Sequence, residues 1–150
     1  MNLAPLNLPK INLARPNPEG MQALSALDAS VKALCQAAGL TEGFCHLLRL
    51  RASQINGCAF CIRLHARDAL AAGESAERVA LVSAAQRSQY YIREERAALA
   101  LLELATSPHQ LPQPSEMDLP ESWRVAICWT AIIINAWNRY SILNGEVISP

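Results

Sequence analysis

The chain has 150 residues, 51% of them hydrophobic, and its thirteen basic and thirteen acidic residues cancel. That length fits one domain with ample apolar material for a core, and the charge balance offers nothing to hold a nucleic acid or an acidic membrane. Five cysteines, an odd number, do not read as a secreted disulfide framework, so a reducing cytoplasm is expected, where a disulfide is transient and catalytic.

Residues 1–18, with Pro5, Pro9, Pro16 and Pro18, read as an extended arm, neither signal peptide nor membrane span. The rest, 19–150, reads as one all-α domain. A first helix is expected from about Glu19 to Ala38, with Met21, Leu24, Leu27, Val31 and Leu34 at helical spacing and Gly39 as its stop. Thr41 can cap a second, from about Glu42 to Gln54.

The third helix, about Gly57 to Ala72, carries the most informative segment, Cys58-Ala-Phe-Cys61-Ile-Arg-Leu-His65. At ~100° per residue, both thiols and the imidazole fall within an arc of roughly 60°. Cysteines three apart on a helix can close into a disulfide, and a histidine four residues on can take the proton of the nearer thiol. Asn56-Gly57 reads as the helix cap, and the positive end of the dipole there favours thiolate, above all at Cys58. A zinc site would need Cys58, Cys61, His65 and a fourth ligand, and no second Cys/His pair follows at finger spacing. Ile62 stands where a c-type haem needs histidine. No cofactor and no metal are therefore expected. The plainest alternative is two buried cysteines beside a satisfied histidine.

A fourth helix is expected from Ser75 to about Arg87 and a fifth from Arg93 to Thr106. A proline-rich loop, Ser107 to Pro120, contains His109, read as exposed. The last helix, about Glu121 to Leu143, is apolar on nearly every face, too interrupted to span a bilayer comfortably, and expected to lie between the core and a second subunit. Ile132, Ile133, Ile134 and Trp137 occupy its adjoining faces, and Ile133 is the position expected at the subunit contact. Cys35, Cys45 and Cys128 sit in apolar helical stretches and read as small hydrophobes. Arg63 and Arg67 read as surface charge, and Asp68 as either an orienter of His65 or a partner for a nearby arginine.

Arg51-Ala-Ser-Gln-Ile-Asn-Gly-Cys-Ala-Phe-Cys-Ile-Arg-Leu-His65, with Ala66-Arg-Asp-Ala-Leu-Ala-Ala-Gly73 after it, resembles the core motif of the AhpD-like alkylhydroperoxidases of the carboxymuconolactone decarboxylase superfamily. Glu94-Glu-Arg-Ala-Ala-Leu-Ala100 and Asn135-Ala-Trp-Asn-Arg139 are similar to further family segments. The resemblance implies an AhpD-like helical bundle in homo-oligomers of dimeric or trimeric origin, a peroxide substrate and an external dithiol as electron donor. Carried over residue by residue, Cys61 would be the peroxidatic thiol, Cys58 its resolving partner, expected to be the more accessible, and His65 part of a proton relay. The family's relay glutamate, twelve residues before the first cysteine, is His46 here, which can accept a proton near neutral pH. Phe60 replaces a histidine that some relatives carry before the second cysteine. Three functions stay open at this point: a thiol peroxidase or disulfide reductase, a lactone decarboxylase-like acid/base enzyme, and a non-enzymatic oligomeric redox sensor.

Overall fold

Asn17 opens the first helix, α1 (Pro18–Ala37), its Oδ1 accepting the Gly20 N–H at 3.0 Å while Pro18 occupies the first turn, where a missing N–H costs nothing. The computed structural model describes residues 10–109 and 118–149, so residues 1–9 of the expected arm and 110–117 of the expected loop lie outside it. Within the described part of the arm, the Leu13 N–H donates to Asn144 Oδ1 at 3.2 Å.

Thr41 caps α2 (Glu42–Asn56), its hydroxyl accepting the Phe44 N–H at 3.2 Å. Asn56 and Gly57 do not open the motif helix, as the sequence suggested; they close α2. Gly57 has φ +69°, the left-handed conformation that ends helices and that a side chain disfavours. The next helix, α3 (Ala59–Ala71), is capped by Cys58 itself, whose sulfur accepts the Cys61 N–H at 3.3 Å. Ser75 caps α4 (Ala76–Leu81), after which Val82–Arg87 form a 3₁₀ turn with a non-helical break at Ala84. The single fourth helix expected from sequence is thus two pieces. The helix α5 (Arg93–Thr106) starts with Glu95 accepting the Ile92 N–H at 3.1 Å, and the same carboxylate pairs with Arg78 of α4 at 2.7 Å. The helix α6 (Glu121–Leu143) completes an all-helical bundle, with no strand among the described residues.

Helix α2 runs through the middle, packed on α3, α5 and α6, and α1 lies across α6. Leu47, Leu48 and Leu50 of α2, Leu99 and Leu102 of α5, and Ile127, Ile133 and Ile134 of α6 are buried to 1% exposure or less. Each contributes on the order of 2 kcal/mol of burial. Polar residues fix how α2 and α6 meet. Asn138 Nδ2 donates to Ser53 Oγ at 3.0 Å, and Asn56 Nδ2 lies 2.9 Å from both Asn135 Oδ1 and Asn138 Oδ1. Ser53 and Asn138 are fully buried, and the Ser53 carbonyl accepts the Cys58 N–H at 3.1 Å. Sequence segments that resembled the family thus anchor the start of the thiol motif to α6.

One expectation for α6 changes. Ile133 does not face a partner; it sits in the subunit's own core. The open stripe is Val125, Trp129 and Ile132, 41 to 53% exposed, turned away from the core. No described helix is long and apolar enough to cross a membrane.

Candidate active site

Because α2 and α3 are joined by the tight turn at Gly57 and pack closely, residues at comparable distances either side of the turn meet. His46 lies about 17 Å of helix rise before Gly57 and His65 about 12 Å after it. Their Nδ1 atoms are 3.2 Å apart and their ring centroids 5.5 Å, so one Nδ1–H donates to the other ring's Nδ1. With the donor ring in its Nδ1–H tautomer and the acceptor ring in its Nε2–H tautomer, both rings are uncharged.

Cys58 and Cys61 are joined as a disulfide, with Cα atoms 5.3 Å apart. A cavity of about 280 Å³ beside them is lined by Cys61, His65, His46, Arg49, Asp68 and Trp137, with Phe60 and Leu64 at its wall. Cys61 faces this space and Cys58 does not. Both sulfur-bearing residues are buried, Cys58 to 2% and Cys61 to 3% exposure, so the expectation of a more accessible Cys58 fails. Its role as N-cap turns it inward, against the end of α2.

Burial pushes the His65 imidazole down to about 3, with the nearby Arg49 and His46 reinforcing it and Asp68 opposing. Burial lowers His46 too, with Asp68 opposing. An acid limb near the reference value of ~6.5, which an ordinary His46 would give, moves lower. Arg49 is itself only 5% exposed and pairs with Asp28 of α1 at 2.7 Å, while Lys32 reaches the same carboxylate at 3.0 Å. Burial would raise Asp28, yet Arg49 and Lys32 hold it below the usual carboxylate range.

Arg49 and Asp28 escaped the sequence reading. A signal existed for Arg49, a charge within Leu47-Leu48-Arg49-Leu50 and three residues from His46 on one helix face, since a charge among buried leucines must be paired. Nothing local marks Asp28. Asp68 pairs with exposed Arg67 at 2.9 Å, one of the two parts foreseen for it, and lines the cavity with the histidines at up to 4.8 Å. Glu42, one turn before His46, places Oε1 4.0 Å from His46 Nε2 and is open to solvent. Arg63, Arg67 and His109 are exposed, as expected.

A metal set built on Cys58, Cys61 and His65 is blocked by the disulfide. Among the described residues, His46, His65 and Asp68 are the group whose ligand atoms cluster, all within 4.8 Å of one another. The Arg49 guanidinium beside them works against a cation.

Comparison with known proteins places the chain in a family. The pattern of the Carboxymuconolactone decarboxylase family matches residues 18–104. The chain is 33% identical over 135 residues to the uncharacterised protein YdfG of Bacillus subtilis (strain 168), covering 86% of this chain and 89% of that one. It is also similar to the crystal structure of ATU0492 from Agrobacterium tumefaciens, a protein of unknown function proposed to be the antioxidant defence protein AhpD. The TM-score is 0.79 at 31% identity, over 94% of this chain and 99% of the other.

The lowered histidines predict a pH-dependent stability. In the unfolded chain His65 binds a proton near pH ~6.5, whereas in the fold it does so only near 3, so falling pH favours the unfolded state across that window. The thermal midpoint should drop between pH 6.5 and 4.5, above the range where carboxylates dominate. In His65→Asn the drop should be clearly smaller; an equal drop would mean that His65 is not held neutral.

Proposed function

The chain belongs to the carboxymuconolactone decarboxylase family as an AhpD-like member, and from that membership and the site geometry we propose that it is a thiol-dependent peroxidase of the alkyl hydroperoxide reductase type. The observation that carries this reading is the His46–His65 pair lining one cavity with Cys61.

In the reduced protein the neutral imidazole pair relays the Cys61 proton, His65 passing a proton to His46 as it receives the thiol's and His46 releasing one toward Glu42. The thiolate attacks the distal peroxide oxygen, an S–O bond forms as the O–O bond breaks, and the departing alkoxide or hydroxide takes the proton back. A histidine whose charged form is disfavoured by burial returns that proton readily. The Cys58 sulfur then attacks the Cys61 sulfenic acid, expelling water and closing the disulfide before further oxidation. An external dithiol restores both thiols by exchange. Since neither sulfur is exposed, that donor reaches the disulfide through the cavity at Cys61 or after local opening. His46 stands in for the family's glutamate, and Glu42 beside its Nε2 supplies a carboxylate one turn further out, on the way to solvent. Acid/base lactone decarboxylation needs no thiol pair, and the motif's two cysteines beside this cavity favour redox chemistry.

Cys61→Ser should abolish peroxide consumption, whereas Cys58→Ser should consume one equivalent and stall at the sulfenic acid. The reverse pattern, measured as peroxide consumed per chain, would exchange the two roles.

The Val125–Trp129–Ile132 stripe fits a second copy of the chain, an apolar face of a kind monomers seldom leave open. Sedimentation at micromolar concentration should show an oligomer that Ile132→Glu dissociates without unfolding; a wild-type monomer would remove this part of the proposal.

A further inference from the structure

Two cysteines outside the motif, read from sequence as small hydrophobes, line one small cavity of the fold. Cys35 of α1 is 3% exposed, and its Sγ lies 3.3 Å from Thr130 Oγ1 of α6. Cys45 of α2, the residue before His46, shares a small cavity with it. A small cavity of about 70 Å³ has both cysteines in its lining, together with Leu40, Gln36, His46 and Arg49. This is room for roughly two water-sized molecules, hence for hydrogen peroxide but not for a branched alkyl hydroperoxide.

We propose that Cys35 and Cys45 form a second dithiol, which hydrogen peroxide oxidises to a disulfide tying α1 to α2, separate from the Cys58–Cys61 pair. The surroundings divide the labour between the sulfurs. The hydrogen bond from Cys45 pulls Cys35 down to about 6, against the effect of burial, with Thr130 and the Arg49 charge helping. Cys45 is pushed up by that same hydrogen bond and by burial. Cys35 is thus the more acidic thiol of the two and Cys45 the less acidic.

The Cys35 thiolate attacks hydrogen peroxide, forming an S–O bond and releasing hydroxide as the O–O bond breaks. The Cys45 sulfur displaces the oxygen of the Cys35 sulfenic acid as water, with the thiol proton leaving on that water. Two thiols lose two electrons, and one peroxide becomes one water and one hydroxide. The reaction is independent of the first pair, because no step passes through Cys58 or Cys61.

The test uses the full-length double variant Cys58→Ser/Cys61→Ser, reduced and treated with one equivalent of hydrogen peroxide. Cleavage after Glu42 separates Cys35 from Cys45, so only a disulfide holds those two fragments together. Mass analysis should find them linked, with two thiols lost per peroxide and Cys128 unmodified. Cumene hydroperoxide should link them at least tenfold more slowly. If the double variant does not fold, the same map is made on wild type with Cys58–Cys61 already oxidised. Free Cys35 and Cys45 after hydrogen peroxide, sulfinic acid without linkage, or linkage to Cys128 would each overturn the proposal.

Discussion

The left-handed turn at Gly57 is the constraint on which the site depends. A residue with a side chain there costs about 1 kcal/mol or more, and the turn does two things at once. It ends α2 so that Cys58 becomes the N-cap of α3, and it folds α3 back on α2 so that His46 meets His65. The buried Ser53–Asn138–Asn56 network holds the turn from below, because the Ser53 carbonyl receives the Cys58 N–H while the Ser53 hydroxyl is tied to α6. Sequence positions nineteen apart become hydrogen-bonded neighbours through a single glycine.

Around that turn the electrostatics keep the imidazoles uncharged. Arg49 is fixed by Asp28 and faces the histidines, so a further positive charge on either ring is disfavoured by burial and by repulsion together. An uncharged pair can pass a proton along, one ring releasing a proton as it receives another, so that neither has to hold the charge, and Asp68 and Glu42 supply negative charge at its edges. The same Arg49 charge also helps to lower Cys35, so one buried guanidinium acts on both the histidine and that thiol.

Much of this was legible in the sequence. Helix count and order followed from periodicity and from helix openers such as Thr41 and Ser75, and the motif located Cys58, Cys61 and His65; the cap at Asn17, within the stretch read as an arm, did not. His46 was reachable only through the family resemblance, since nothing in its own surroundings marks it. What sequence could not supply was which face of a uniformly apolar helix turns inward: Ile132 and Ile133 are adjacent and equally hydrophobic, yet one is open and the other buried. Nor could it show that Cys35 and Cys45, on different helices, come together, because that contact depends on how α1 crosses the bundle. The position of Gly57 was misread because Asn-Gly serves equally as a start or a stop until its φ is known.

The central claim is that His46, through His65, handles the proton of Cys61. The most direct measurement is the single-turnover rate of peroxide reduction by the reduced protein at pH 7, in wild type and in His46→Gln. Removing a positioned general base should slow the reaction by at least tenfold, with the thermal midpoint at pH 7 changed little. An unchanged rate in a folded His46→Gln protein would contradict the account and leave the histidine pair as packing alone.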